Sequence, residues 1–163
     1  MNDLAFLALL HTHELSRRWD RPTPDDWAKT LATFPLFSGV TKRRLRGLAR
    51  NATLAEFAPG ETIVFAGDRH DGLYIILAGH AKATSGRASQ LLRTGEYFGE
   101  AEMIGGRPSS SSVVAMSYVQ VMKLPARPVL NLARRHPAIT FAMLKNLSTR
   151  FRHLEAEACP CAA

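Results

Sequence analysis

The hydrophobic pattern of this 163-residue chain changes its period twice. Apolar residues at helical spacing, such as Trp27, Leu31 and Phe34, give way after Thr53 to alternating segments, and helical spacing returns after Pro125. Pro-Gly, Gly-Asp and Ser-Gly pairs separate the alternating segments, which are 62–65, 73–77, 80–84, 113–116 and 119–123. Short strands at this regular spacing predict a small antiparallel barrel or roll between helices.

The flanking regions predict helices with recognisable ends. Residues 3–18 form one amphipathic helix, and a second starts at Thr23 or Pro24 with acidic residues in its first turn. Thr41 is the expected N-cap of a basic helix that ends near Asn51. After the roll, a short helix ends near His136, and a long final helix starts at Pro137.

The final helix carries an apolar stripe whose partner the sequence leaves open. Its members follow three-four spacing over about five turns, and they are Phe141, Leu144, Leu147, Phe151 and Leu154. The stripe either joins two copies of the chain or docks on the chain's own roll or N-terminal helix.

Composition narrows the class of protein. The length suits one domain with terminal additions, and the apolar share of 46% is that of a globular chain. Twenty-one Lys and Arg against 14 Asp and Glu give a net charge of +7, which favours anionic partners. Much of the excess lies in one predicted helix, at Lys42, Arg43, Arg44, Arg46 and Arg50. That run is either a solvated face or a surface for an acidic partner or nucleic acid.

The chain shows no apolar run long enough to span a bilayer, and its apolar N-terminal segment follows Asp3 instead of positive charge. We therefore expect a soluble cytoplasmic protein. Cys159 and Cys161 lie in a short tail, too close together for an unstrained disulfide. Nothing in the sequence brings them to His11 and His13, so no metal site is predicted.

Two neighbouring motifs provide the best candidate binding site. Gly95-Glu96-Tyr97-Phe98-Gly99-Glu100 is followed, eight residues later, by Ser109-Ser110-Ser111-Ser112-Val113. Gly99 allows close approach of the backbone to a ligand, and Glu100 can accept two hydroxyl hydrogen bonds. With the serine hydroxyls they form a plausible cradle for a ribose and a phosphate. An arginine fork, the usual partner of a phosphate, is missing from the serine run.

The same motifs carry a resemblance that covers the segment from Pro35 to about Leu154. That segment resembles the cyclic nucleotide-binding domain, the β-roll module of the catabolite activator protein and of cyclic-nucleotide-dependent kinases and channels. Four ordered patterns match, which are Leu36-Phe37-Ser38-Gly39, Pro59-Gly60-Glu61 with Gly67 to Gly79, Gly95 to Glu100, and Pro108 to Ala115. The resemblance implies an α+β fold, an antiparallel double-stranded β-helix flanked by N-terminal helices and a C-terminal helix pair.

This resemblance also divides the chain. Residues 1–34 are expected to form an N-terminal helical extension, residues 35–156 the cyclic nucleotide-binding-like domain, and residues 157–163 a disordered tail. Only about nine residues follow Leu154, where the catabolite activator has a DNA-binding helix-turn-helix. We therefore expect no DNA-binding domain and an effector that is another chain.

The resemblance assigns roles in the site. Gly99 and Ala101 would offer backbone N–H groups to a phosphate, and Glu100 would take the ribose 2′-hydroxyl. Ser110 would bridge phosphate and base, and Ser111 matches the small residue that follows. The family's phosphate-binding arginine falls on Ser109, while Arg107 lies two positions too early and is a candidate substitute that reaches around.

These observations favour a free-standing sensor module that binds cAMP or cGMP weakly or atypically and signals through its C-terminal helices. No cofactor is predicted. The alternative is a ligand-free roll that serves as a dimerisation or docking scaffold, with a homodimer through the final helix. An enzyme is not expected, because no motif places a nucleophile, a base and an orienting group together.

Overall fold

A computed structural model describes residues 22–69, 72–86 and 88–158. The helices are α1 (Pro24–Thr33), α2 (Lys42–Ala49), α3 (Glu100–Gly105), α4 (Ala126–Arg135) and α5 (Pro137–Ala158), with a 3-10 helix at Pro35–Phe37. The strands are β1 (Thr53–Phe57), β2 (Thr62–Val64), β3 (Gly72–Ala78), β4 (His80–Ser85), β5 (Ala88–Arg93), β6 (Tyr97–Phe98), β7 (Ser112–Ala115) and β8 (Val119–Pro125).

The strands form two four-stranded antiparallel sheets, ordered β1-β8-β3-β6 and β2-β7-β4-β5. Strands distant in sequence are neighbours in each sheet, as in the pairing of Ile75 with Met122 and of Ala81 with Ala115. This order winds the chain into a roll. The predicted α+β fold, a β-roll flanked by helices, is confirmed.

Strand β3 explains why the two apolar clusters are separate. Successive side chains of a strand point to opposite faces. Leu73 and Ile75 therefore join the cluster under the helices, with Leu45 and Val129, whereas Ile76 joins the cluster inside the roll. Because both faces of β3 are covered, most of its residues are buried.

The β3–β4 turn requires a glycine. Gly79 has a φ of +81°, and a Cβ there would lie 2.1 Å from the carbonyl oxygen of Tyr118. Both the left-handed backbone and the close approach exclude a larger residue without local rearrangement.

The predicted helix starts have different capping geometries. Thr23 and Asp26 form a reciprocal capping box at α1, with the Asp26 backbone N–H donating to Thr23 Oγ1 at 3.3 Å. Thr41 occupies the N-cap of α2 as predicted, but its side chain makes no capping hydrogen bond. Helices α4 and α5 end and begin at the predicted His136-Pro137 junction.

Helix α5 packs through a different face from the predicted stripe. Ile139 and Met143 are buried in the cluster under the helices, whereas Phe141, Leu144 and Phe151 are 68%, 61% and 61% exposed. These three stripe residues therefore do not dock on the described part of the chain, and the second-copy alternative stays open.

Sequence periodicity did not identify three of the strands, which are β1, β5 and β6. Strand β1 lies at a sheet edge with two exposed residues at its start, and β6 has only two residues, so neither gives a clear alternation. The predicted helix at residues 3–18 and the residues His11, His13, Cys159 and Cys161 lie outside the described residues.

Candidate functional site

The site begins where β6 ends and α3 starts. Gly99 is the N-cap of α3, with a left-handed backbone at φ 92°, and its carbonyl accepts the first helical hydrogen bond, from Met103, at 3.0 Å. A residue with a side chain is strained in this conformation. Gly99 therefore turns the chain so that Glu100 enters the interior.

Glu100 is a fully buried carboxylate. Its Oε1 lies 3.0 Å from Nη1 of Arg150 and accepts a hydrogen bond from Nδ2 of Asn146 at 3.2 Å. Its Oε2 has no hydrogen-bond partner although it is buried. One oxygen is thus occupied by α5, and the other keeps acceptor capacity that a ligand hydroxyl could use.

Arg150 joins α5 to the start of the site. Besides its ion pair with Glu100, its Nη2 donates to the carbonyl of Tyr97, and its Nε is buried without a partner. The Tyr97 hydroxyl donates to the Ala142 carbonyl at 3.3 Å, one further contact between β6 and α5. The final helix therefore lies directly over the predicted ribose acceptor.

Burial also changes the acidity of this cluster. Desolvation raises the pKa of Glu100, opposed by the charge of Arg150 and reinforced by the nearby Glu102 carboxylate. Burial, with the Glu100 charge, raises the pKa of Tyr97 to about 12. Removing Glu100 from water has a cost that the single ion pair does not fully offset.

Ser109 is a buried residue with a complete set of local hydrogen bonds. Its Oγ donates to the Ser111 carbonyl at 2.8 Å, its backbone N–H donates to the Asp68 carbonyl at 2.9 Å, and its carbonyl accepts from Gly67 at 2.7 Å. The hydroxyl of Ser109 is thus engaged in fixing the loop that leads into β7, against the turn after β2.

A second carboxylate lies beside Ser109, and the sequence analysis did not identify it. Oε1 of Glu102 is 3.4 Å from the Ser109 Oγ. The position that the resemblance gives to a phosphate-binding arginine therefore faces negative charge. The signal was available in the sequence, because Glu102 lies on the same short segment as Glu100, but its proximity to Ser109 depends on the fold.

The remaining predicted residues lie at the periphery. Ala101, Arg107 and Ser110 are exposed, and Ser111 is half-buried. The Ser110 carbonyl accepts a hydrogen bond from Ser85 Oγ at 3.0 Å. The Arg107 side chain makes no hydrogen bond or ion pair with another described residue. The structure thus brings Glu100, Glu102 and Ser109 together and leaves Arg107 in solvent.

The described residues were also compared with two other kinds of site. Over residues 22–69, 72–86 and 88–158, no group of three His, Cys, Asp or Glu side chains is placed to hold a metal ion. Within the same ranges, every helix is too short or too polar to cross a membrane.

The cyclic nucleotide-binding domain, as a family model, matches residues 54–136 of this chain. This range contains eight strands, α3 and almost all of α4, so the match includes the site as well as the roll. It agrees with the resemblance carried by the sequence motifs.

Individual proteins are similar over the same region. A cGMP-dependent protein kinase of Toxoplasma gondii is 34% identical over 89 residues, which are 54% of this chain and 9% of the kinase. The cAMP-bound structure of PfPKA-R has a TM-score of 0.75 at 19% identity, and the match covers 83% of this chain and 48% of that one.

A third relative is a regulatory subunit of a cAMP-independent protein kinase A from Trypanosoma brucei, in a mutant form bound to cAMP in its A site. Its TM-score is 0.60 at 24% identity, over 76% of this chain and 51% of that one. The chain thus spans about half, or much less, of the length of these relatives.

Proposed function

This chain belongs to the cyclic nucleotide-binding domain family, and we propose that it is a regulatory sensor module, not an enzyme. It binds cAMP or cGMP weakly or atypically through Gly99, Glu100 and the 109–111 segment, and it signals through α4 and α5. The observation that carries the proposal is the buried Glu100 carboxylate, which α5 holds through Arg150 and Asn146.

The contact of α5 with Glu100 provides the route from binding to signalling. A ribose hydroxyl that donates to Glu100 competes with the Arg150 and Asn146 donors or uses the unpartnered Oε2. In either case the ligand has a different affinity for states in which α5 lies on or off the site. A differential affinity of this kind is what shifts a conformational equilibrium. The effector that responds to α5 is another chain.

Weak binding follows from the phosphate end of the site. Losing one partner of a partly buried, charge-assisted pair costs about 2 to 5 kcal/mol, or about thirty to several thousand fold in affinity. The Glu102 carboxylate beside Ser109 adds repulsion toward an anion. A ligand that is less charged at this end is compatible with the same geometry.

The Trypanosoma brucei relative supports this interpretation. Its cAMP-bound mutant replaces a glutamate with alanine and, seven positions later, a threonine with arginine. Seven positions also separate Glu102 from Ser109 in this chain. The correspondence of these two pairs is part of the proposal, and it selects the substitutions for the test.

Calorimetric titration with cAMP and with cGMP tests the function. We expect millimolar binding by the wild type, tighter binding by Ser109→Arg, and the tightest by Ser109→Arg combined with Glu102→Ala, because charge is first added and then repulsion removed. Glu100→Ala should abolish binding, and Glu100→Gln is the variant that keeps the volume of the side chain. Absence of binding in the wild type and in both arginine variants would overturn the proposal.

A second candidate function is favoured by the exposed stripe of α5. Phe141, Leu144 and Phe151 lie in solvent, next to no described partner. We propose that a homodimer forms through this stripe, either with the sensor function or, if no ligand binds, as the role of a dimerisation or docking scaffold. In the second case the basic helix α2 is the surface for another protein.

The division into an extension (1–34), a binding domain (35–156) and a tail (157–163) remains a proposal, as does a cytoplasmic location. The described α1 fits the first of these, because it packs mainly on α2 and the 3-10 helix, outside the strands of the roll.

A further inference from the structure

An open cavity of about 570 Å³ lies between β5 and the C-terminal half of α5. Its described lining consists of Gln90, Leu91, Arg93, Thr149, Arg150 and Arg152. A cavity of this size is typical of small-molecule sites. We call it the arginine groove, and it lies on the side of Arg150 away from Ser109 and the serine run.

The groove concentrates positive charge. Three of its described lining residues are arginines, from two separate elements, and none is acidic. Arg93 and Arg152 are exposed, and their guanidinium groups make no hydrogen bond or ion pair with a described residue. Arg150 is only partly neutralised, because its ion pair with Glu100 leaves Nε buried without a partner. The lining therefore presents donors without acceptors.

The kind of ligand follows from these donors. Guanidinium groups are planar forks that match phosphate oxygens in pairs, and three of them around one cavity suit an anion with more than one charge. The Gln90 amide and the Thr149 hydroxyl add neutral donors, and Leu91 adds a partly exposed apolar surface. A single carboxylate would leave most of this donor set unused.

We propose that the arginine groove is a binding site for a phosphate-type polyanion, distinct from the cradle formed by Gly99, Glu100 and the serine run. This site goes beyond the proposed function, because neither Glu100 nor a cyclic nucleotide is needed to fill it. Arg93, Arg150 and Arg152 bind the anion together.

Arg150 belongs to both sites, which links them. An anion in the groove competes with Glu100 for the Arg150 guanidinium, and it frees the carboxylate for a ligand in the cradle. Linkage between two sites is reciprocal, so a cradle ligand that displaces Arg150 strengthens anion binding. This coupling, unlike the groove itself, rests on the proposed function.

Titration of the full chain with inorganic pyrophosphate at about 0.15 M salt, where long-range attraction is screened, tests the groove. We expect saturable binding that Arg93→Gln and Arg152→Gln each weaken about tenfold to a hundredfold, the usual effect of losing a hydrogen bond to a charged group. The matched control is Arg134→Gln, an exposed arginine on α4 outside the groove, which should keep the wild-type affinity. Because the two groove arginines make no other contact with described residues, both variants should keep the wild-type melting temperature.

Two results would overturn the proposal, which are no saturable binding by the wild type, and equal weakening by Arg134→Gln, the mark of diffuse charge attraction. A cAMP titration of Glu100→Gln separates this outcome from failure of the sensor function. Pyrophosphate binding that survives in Glu100→Gln while cAMP binding is lost supports a distinct groove.

Discussion

At the scale of single residues, the site is defined by two buried polar groups with opposite degrees of satisfaction. Ser109 has partners for its backbone and its hydroxyl, whereas Glu100 has one engaged and one unpartnered oxygen. An unsatisfied buried polar atom has an energetic cost, which proteins retain mainly at functional positions. This contrast makes Glu100, and not the serine run, the centre of the site.

The raised pKa of Glu100 predicts a pH dependence of stability. The folded protein binds a proton at Glu100 more tightly than the unfolded chain, whose carboxyl has the ordinary value of 4.5. The folded state therefore holds more protons between that value and the raised pKa, and the free energy of unfolding falls as pH rises through this window. Glu100→Gln should flatten the decrease.

Urea denaturation at a series of pH values measures this slope in the two proteins. The other carboxyls, including Asp26 with its lowered pKa, contribute equally to both and cancel in the difference. Identical slopes for wild type and variant would show that burial of Glu100 does not raise its pKa.

At the scale of elements, the position of α5 depends on side chains from its middle. Asn146 and Arg150 lie one turn apart and reach Glu100, and Arg150 also binds the Tyr97 carbonyl. The apolar contacts of α5 in the cluster under the helices are Ile139 and Met143, in its first two turns. The C-terminal half is thus held more by polar contacts than by apolar burial, as expected of an element that moves.

Arg150→Gln should therefore loosen the C-terminal half of α5. Removing the guanidinium breaks the contacts to both Glu100 and Tyr97, so amide hydrogen exchange over residues 145–152 should become about tenfold faster or more. Exchange around Met143 should change less, because apolar burial holds that turn.

The control for this measurement is Arg152→Gln, on the same helix and exposed. It removes the same charge without breaking a described contact. Equal acceleration in both variants would contradict the role of Arg150 in holding α5.

At the scale of the whole molecule, the described chain leaves one helix face without cover. Phe141, Leu144 and Phe151 are spaced by three and seven residues, so they lie along one side of α5. Scattered exposed apolar residues are ordinary, but an aligned set of this kind is typical of an interaction surface. The net charge of +7 opposes self-association, so the dimer should be salt-sensitive and concentration-dependent.

Sedimentation velocity over a range of concentrations and salt tests the homodimer. We expect a monomer–dimer equilibrium that Leu144→Ser shifts toward monomer, since it places a hydroxyl in the apolar seam. Phe65→Ser is the matched control, because Phe65 is also exposed, at 59%, but lies after β2 and away from α5. A chain that stays monomeric at all concentrations would exclude the dimer.

The sequence by itself determined the architecture, because strand alternation and turn residues are local properties that survive in the folded chain. The change of period at Thr53 and Pro125, the helix start at Thr23 and the ordered motifs around Gly99 were each sufficient for this. They also identified Gly99 as a special backbone position, which its left-handed φ bears out.

Only the tertiary structure decided which groups meet. Glu100 and Arg150 are fifty positions apart, and neither residue's spacing indicates the other. The proximity of Glu102 to Ser109, the arginine groove and the face through which α5 packs likewise depend on how α5 and the loop before β7 are placed on the roll. Periodicity reports that a helix has an apolar side, but which side is buried is set by the free energy of the whole packed chain, in which Ile139 and Met143 fit against the sheet and Phe141 and Leu144 do not.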